Sequence, residues 1–531
     1  MDKKIYKDII IIIFVTVCMF TPFINKAYHI DDTLFLRSAE QILKNPLRPY
    51  DVMINWFGID QSLFSANKNP PLVSYILAFL GKIGGFGEKY IHTVFSLFPL
   101  GGAIFMYLLA RKLSGNALFI TLLLIASPCF WVSGTNIMCD SALLFFALGS
   151  VLFYINGEEK GNAVLILLSM IFLGCAALTK YIGVGFIPLL IIYQILRKRR
   201  YYNMLYFLIP IGIFWLWNMH GYRCYGMSHF LISCLYKKPA FMGELMAQLT
   251  LVMIYISACL VSPIIYSLRL DKLHILSLAF GILIYIVAYP YFIAIYKTVS
   301  TAESIFIIIL TWFSIYIIFK SAENPGIAKE PLKILTYLWF YGMLVFITLF
   351  NWTVAARNIL IMAPPALFLY ADSNNKIRNY IALAAVFIIS FMVTSTDYDY
   401  ANIYKDFAKK VRKHAPYNEV YFVGHWGFQY YMEREGYKPI REGMAVPKEG
   451  YSFIVVPTNV SNMLVIDQSV MKTELLKKIV YDNRFGVILI NSKKKAGFYS
   501  TVFGMFPYVF LEEPLEEFSI YKFTVNTGAV K

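Results

Sequence analysis

Two adjacent carboxylates, Asp31 and Asp32, directly follow the first long apolar segment of the chain. A carboxylate at the edge of lipid is costly to keep there unless it has a use. Such a group can act as a general base that accepts a proton from a hydroxyl or an amine. The alternative is structural, because either aspartate could cap the helix expected to begin at Thr33. The pair is the first candidate for chemistry in this sequence.

Three more charged residues stand at the ends of apolar segments: Asp140, Lys180 and Arg357. A cation at such a place suits a phosphate group, and arginine can bind one through two parallel hydrogen bonds. Each residue also has a structural alternative. Asp140 could cap a helix, Lys180 could compensate a helix dipole, and Arg357 could snorkel to the lipid–water interface. The functional interpretation gains weight if acids and cations meet at one face of the protein.

The composition indicates what kind of protein must position these groups. Of the 531 residues, 58% are hydrophobic and only 15% are charged, which excludes an ordinary soluble globule and predicts a polytopic membrane protein. The formal charge of +16 does not imply nucleic acid, because most Lys and Arg lie in clusters between apolar segments. Such a chain instead attracts membrane lipids and phosphate-bearing ligands.

Apolar segments and basic clusters together predict about thirteen transmembrane helices in the plasma (inner) membrane. The lysines at 3, 4 and 7 place the N-terminus in the cytoplasm, and the basic cluster at 197–200 is the strongest further cytoplasmic signal. The first apolar segment lacks a cleavage site and is expected to be an uncleaved anchor. This topology puts the first loop, residues 25–89, and all five charged candidates on the non-cytoplasmic face.

The composition changes near residue 397, where charges and turn residues appear and apolar segments shorten to strand length. We therefore predict a transmembrane domain over 1–396 and a small extracytoplasmic α/β domain over 397–531. A helix is expected at 401–414, and strands are expected at 420–424, 452–457, 485–490 and 518–524.

Metal and redox chemistry find little support in the sequence. The histidines are isolated and the seven cysteines show no CxxC pair, so we predict no metal site. Cys224 and Cys234 share one external loop and could form a disulfide if that loop faces an oxidising space.

The order of motifs in roughly the first 200 residues carries a resemblance to a known family. An apolar anchor is followed by Ile30-Asp31-Asp32-Thr33, Asn69-Pro70-Pro71, Cys139-Asp140-Ser141 and Leu178-Thr179-Lys180. This order resembles the GT-C superfamily of polytopic glycosyltransferases, and within it the branch of protein O-mannosyltransferases and lipid A aminoarabinose transferases. The resemblance implies a GT-C fold and transfer of a sugar from a polyprenyl-phosphate carrier to a lipid, glycan or protein acceptor. The lipid-linked donor is then a substrate, and no cofactor is expected.

The resemblance also implies roles for the acids. Asp31 matches the first acid of the family's Asp-Glu pair, the expected catalytic base or acceptor-positioning group. Asp32 stands where the family often has Glu. Asp140 matches the second external acid. The implied reaction is a metal-independent inverting displacement in which a carboxylate takes the acceptor proton and the lipid phosphate leaves.

The expected carrier-binding residues match the family less closely. Asn69-Pro70-Pro71 matches a His-Pro-Pro or Glu-Lys-Pro element in which Asn69 replaces the charged or imidazole group, and Lys68 could substitute for it. Lys180 matches a Thr-Lys-Gly element, with Tyr181 in place of Gly. Arg357 has no firm counterpart and is assigned to the phosphate from its charge and side.

Two other classes of function stay open. A transporter or flippase of lipid-linked sugars would be expected to carry ionisable residues near mid-bilayer and repeated halves. A non-catalytic scaffold in an envelope assembly would present the terminal domain and would not need two acids and two cations at one face.

Overall fold

Apolar α-helices form most of the chain. The computed structural model describes residues 3–56, 58–235, 242–267, 271–322, 330–371, 375–415, 419–441, 451–460 and 471–525. Across these ranges nine helices are long and apolar enough to cross a membrane, or up to ten with a bent pair. The nine are Lys3–Phe23, Glu88–Leu113, Cys139–Lys160, Tyr201–Tyr225, Met242–Leu260, Lys272–Tyr296, Thr301–Ala322, Pro331–Phe350 and Lys376–Lys413. The helical, polytopic fold predicted from composition is confirmed.

Three predicted spans correspond to shorter helices. These are Ala163–Thr179, Tyr181–Arg197, and the adjoining pair Ala356–Leu360 and Ala363–Tyr370. An α-helix rises about 1.5 Å per residue, so helices of this length fall short of a hydrocarbon core of about 30 Å. Length explains why the sequence predicts more spans than the described residues contain.

The predicted third span is the bent pair. Helices Ala117–Ala126 and Pro128–Gly134 meet at 64°, and Ser127 between them has an extended backbone. Proline has no N–H and disfavours a helical residue before it, so the break follows from the sequence. The second helix of the pair leads directly to the segment before Asp140.

The first loop, predicted to be external, contains its own secondary structure. Helix Asp32–Lys44 packs on helix Leu72–Gly84. The second of these helices is apolar, but its 13 residues are too few to cross a membrane. Between them lie an antiparallel hairpin, Met53–Trp56 with Ile59–Ser62, and a turn of helix, Leu63–Ala66. Two further short helices, His229–Cys234 and Ser262–Tyr266, lie between later spans.

A five-stranded sheet forms the core of the C-terminal region. Its spatial order is Lys438–Pro439, Val420–Phe422, Ser452–Pro457, Glu516–Val525 and Met471–Tyr481. The first three strands in this order are parallel to one another, and strand Glu516–Val525 pairs antiparallel with both of its neighbours. Helix Trp426–Arg434 follows strand Val420–Phe422 in the chain. The predicted strand at 485–490 is instead two short strands, Val487–Ile488 and Ile490–Asn491, which pair with Val509–Phe510 and Ala496–Gly497 outside that sheet.

Helix Lys376–Lys410 is continuous through residue 397, so the predicted last span and the predicted helix at 401–414 are largely one element. The polar residues there suggested a break. Asp397 does not end the helix because it is buried against Lys26 in an ion pair. The division into domains at this residue stays a prediction.

The loop predicted to hold Cys224 and Cys234 lies partly outside the described residues, at 236–241. In the structure Cys224 lies in helix Leu208–Tyr225 and Cys234 ends helix His229–Cys234. Both cysteines are free thiols. The disulfide that their shared loop permitted is therefore not formed in this structure.

Candidate active site

Two ion pairs bring together four of the charged residues singled out in the sequence. Arg357 Nη1 lies 2.9 Å from Asp31 Oδ2, and Lys180 Nζ lies 2.7 Å from Asp140 Oδ1. Arg357 Nη1 also lies 3.3 Å from the sulfur of Met138, two residues before Asp140. The two pairs therefore flank one short segment of chain. Residues 326 positions apart in sequence meet in the first pair.

The local backbone explains how Asp31 reaches its partner. Ile30, just before it, has a φ of +47°, which is costly for a β-branched residue and turns the chain sharply. Asp31 occupies the N-cap position of helix Asp32–Lys44, but its side chain makes no capping hydrogen bond. The capping alternative for Asp31 is therefore absent, and the carboxylate pairs with Arg357.

Asp32 lies in a different environment from Asp31. Its side chain is fully buried. One carboxylate oxygen accepts from the His29 N–H and the other from the Ile137 N–H, both at 3.0 Å. Burial raises the pKa of Asp32 to about 7, against the opposing effect of these donors and of Lys26. The contacts join the first loop to the segment before Asp140, a positioning role that the sequence did not predict.

Asp140 and Lys180 each stand at a helix end that suits their charge. Asp140 lies in the first turn of helix Cys139–Lys160 and makes no capping hydrogen bond there. Lys180 follows the last residue of helix Ala163–Thr179 with an extended backbone. An acid at a helix N-terminus and a cation at a C-terminus are both favoured by the helix dipoles. For Lys180 the structural alternative therefore holds together with the ion pair.

In the Lys68–Pro71 turn, the Asn69 side chain points to this site and the Lys68 side chain points away from it. Asn69 Oδ1 lies 3.5 Å from the sulfur of Cys139, beside Asp140. Pro70 and Pro71 are buried, and Pro71 precedes helix Leu72–Gly84. Lys68 extends instead toward the Ile232 carbonyl, 3.5 Å away, and partial burial lowers its pKa. Asn69 is thus placed near the ion pairs, and Lys68 is directed elsewhere.

A buried polar network supports the acids. Lys26 forms an ion pair with Asp397 and donates to Asn136 Oδ1 at 2.6 Å. Tyr499 donates to the other carboxylate oxygen of Asp397 at 2.7 Å and accepts from Asn136 Nδ2 at 3.1 Å. Sequence reasoning missed this network, because Asp397 lies among polar residues that suggested a break in the helix and not a buried charge.

The C-terminal region fixes the loop that carries Arg357. The Ala356 N–H donates to the Phe498 carbonyl, and the Thr501 N–H donates to the Val354 carbonyl, both at 2.9 Å. These two contacts hold residues 354 and 356, which lie directly before Arg357. Among the described residues, no group of three or more His, Cys, Asp or Glu side chains could hold a metal ion.

Part of the chain matches a known enzyme family. Residues 68–222 match the family model described as dolichyl-phosphate-mannose-protein mannosyltransferase. The matched segment includes Asn69, Asp140 and Lys180, and it excludes Asp31 and Arg357. The match confirms the predicted resemblance to a family of polytopic membrane glycosyltransferases. No curated protein sequence matches the chain.

Several solved structures have a related fold. ArnT from Cupriavidus metallidurans bound to undecaprenyl phosphate is 14% identical, with a TM-score of 0.42 over 84% of this chain and 92% of its own. The Archaeoglobus fulgidus oligosaccharyltransferase is 11% identical, with a TM-score of 0.48 over 82% and 64%. The S. cerevisiae Pmt1-Pmt2 complex bound to its sugar donor is 14% identical, with a TM-score of 0.33 over 43% and 34%. These scores are too low to assign residues by superposition.

Proposed function

We propose that this chain transfers a sugar from a polyprenyl-phosphate carrier to a lipid, glycan or protein acceptor at the extracytoplasmic face of the plasma membrane. The observation that carries the proposal is the meeting of the Asp31–Arg357 and Asp140–Lys180 pairs around Met138–Asp140. The family match supports sugar transfer as the reaction. A site at the ends of apolar helices suits a donor whose long tail stays in lipid.

Asp31 is the best placed of the acids to act as general base. Its side chain is 21% exposed, whereas Asp140 is 3% exposed and Asp32 is fully buried. In the proposed step the acceptor gives its proton to Asp31 and forms a bond to the anomeric carbon. The bond from that carbon to the phosphate oxygen breaks, and the phosphate leaves with the electron pair. Attack opposite the leaving group inverts the anomeric centre.

Arg357 and Lys180 are the proposed partners of the leaving phosphate. Their side chains are 25% and 23% exposed, so a ligand can reach them. Preorganised cations stabilise the charge that develops on the phosphate without reorganising during the reaction. Asp140 holds Lys180 in place, and the Asn69 side chain contacts Cys139, the residue before Asp140. The step requires no metal and no cofactor in this proposal.

The test compares acid-to-amide variants of the two proposed site acids with one control acid. Membranes containing the full chain are supplied with polyprenyl-phosphate sugars radiolabelled in the sugar, and label leaving the carrier is measured. Asp31→Asn and Asp140→Asn should each reduce transfer by at least about a hundredfold, the usual contribution of a general base or a preorganised charge. Asp51→Asn is the matched control, since Asp51 is an exposed acid of the same loop paired only with Arg48. Undiminished transfer by an inserted Asp31→Asn, Asp140→Asn double variant would refute the proposal.

A further inference from the structure

Tyr181 and His229 lie beside the site and have no part in the proposed chemistry. Tyr181 directly follows Lys180, and His229 begins helix His229–Cys234. The Tyr181 hydroxyl lies 2.6 Å from His229 Nδ1 and accepts from Trp217 Nε1 at 3.0 Å. The Tyr181 position is the one at which the resembled family has glycine, so this side chain is a feature of the present sequence.

The hydrogen-bond directions along this contact can be assigned from chemistry. His229 Nε2 lies 2.8 Å from the carbonyl oxygen of Asn67. A carbonyl only accepts, so Nε2 must carry the proton. Burial lowers the pKa of His229 to about 4, which leaves the ring neutral and Nδ1 free to accept. Tyr181 therefore donates to His229, and His229 donates to Asn67.

The far end of the chain of bonds reaches Asn69. The Asn69 N–H donates to Asn67 Oδ1 at 3.0 Å. The Tyr50 hydroxyl donates to the Asn69 carbonyl at 2.7 Å, and the Tyr50 ring stacks on His229 at 5.0 Å between centroids. Hydrogen bonds joined through the covalent structure of Asn67 thus connect Tyr181, the residue after Lys180, to Asn69. The Asn69 side chain in turn contacts Cys139, the residue before Asp140.

We propose that Tyr181 and His229 are positioning residues for sugar transfer, which hold the Lys180 turn and the Asn69 turn at a fixed spacing around Asp140. The inference rests on the proposed function and deepens it. Lys180 has an extended backbone, with φ at −155°, and its side chain pairs with Asp140. The Tyr181 hydroxyl is the anchor next to it, and this half-buried side chain is held by His229 and Trp217.

The test measures binding of undecaprenyl phosphate to the purified full chain in nanodiscs. Tyr181→Phe keeps the ring contact with Phe230 at 5.2 Å and removes only the hydroxyl. We expect carrier binding to weaken about tenfold, the size of one buried hydrogen bond. In a Lys180→Met background, Tyr181→Phe should not weaken carrier binding any further, because Tyr181 acts through Lys180.

Two variants separate positioning from general packing. Tyr222→Phe removes a hydroxyl from an exposed tyrosine of the neighbouring helix and should leave binding unchanged. His229→Gln keeps an N–H donor for Asn67 near the position of Nε2, but it has no acceptor at the position of Nδ1, where Tyr181 donates. It should therefore weaken binding to the same extent as Tyr181→Phe, and the two changes combined should not add.

The outcomes distinguish this inference from the proposed function. Wild-type binding by Tyr181→Phe, additive losses with Lys180→Met, or a loss explained by a lower thermal midpoint would each overturn it. If Lys180→Met loses binding while Tyr181→Phe does not, only the positioning role fails. If Lys180→Met itself binds the carrier like wild type, the phosphate site of the proposed function fails as well.

Discussion

Asp31→Asn should separate carrier binding from sugar transfer. In the structure the Asp31 carboxylate forms an ion pair with Arg357 at 2.9 Å. A carrier phosphate that binds Arg357 must therefore share the guanidinium with this carboxylate or displace it. Removing the negative charge frees the arginine for the phosphate and removes the proposed base. We therefore expect tighter carrier binding together with loss of transfer, a combination that a misfolded variant would not produce.

The size of the binding effect follows from the geometry. Two unit charges 2.9 Å apart interact by about 6 kcal/mol at an effective dielectric constant of about 20. Both groups are partly exposed, and measured pairs of this kind retain only about 0.2–1 kcal/mol after desolvation and screening. Freeing Arg357 should thus tighten binding of undecaprenyl phosphate by at most about fivefold.

Arg357→Gln provides the opposite change in the same assay. It removes a charge-assisted hydrogen bond of about 2–3 kcal/mol and should weaken carrier binding roughly 30- to 160-fold. Arg441→Gln is the matched control, because Arg441 is an exposed arginine paired with Asp60 on the hairpin. The reasoning is refuted if Asp31→Asn weakens carrier binding as much as Arg357→Gln does.

Three further predictions concern stability and topology. Lys26→Met should destabilise the protein by about 3–5 kcal/mol, since it leaves Asp397 buried without its cation, and adding Asp397→Leu should recover most of that loss in thermal unfolding. Because the pKa of Asp32 is raised from 3.8 to about 7, the folded state binds the extra proton between these values. The contribution of Asp32 to the free energy of unfolding is therefore largest below about pH 4 and falls as pH rises to about 7. Asp32→Asn should flatten this pH dependence. In a cysteine-free chain, a cysteine at Asp51 should react with an impermeant reagent from outside, and one at Lys198 should react only after permeabilisation.

The sequence indicated which charged residues are candidates for the site, but not how they pair with one another. The acids and cations were recognisable because a charge at the end of an apolar segment is rare and costly. The specific pairing of Asp31 with Arg357 was not recognisable, because contacts between residues so far apart depend on how the helices pack. Arg357 was selected only from its charge and side.

Asp32 shows the converse limit of sequence reasoning. As one of two adjacent acids it was indistinguishable from Asp31 by residue type and position. One residue along a helix turns the side chain by about 100°. That rotation places one carboxylate against Arg357 and buries the other against the backbone of His29 and Ile137. The roles of the two acids therefore depend on the helix start, which was predicted at Thr33 and begins at Asp32.

The C-terminal region forms a separate sheet and also supports the proposed site. Tyr499 completes the network around Asp397, and Phe498 and Thr501 pair with the backbone on either side of Ala355. These contacts hold the loop that carries Arg357. Through Asp397 they also hold Lys26, which lies at the start of the loop that carries Asp31. A region so placed controls the spacing of the proposed base and the proposed phosphate ligand. In this proposal its sequence is constrained by catalysis, although none of its described residues is among the proposed catalytic or phosphate-binding groups.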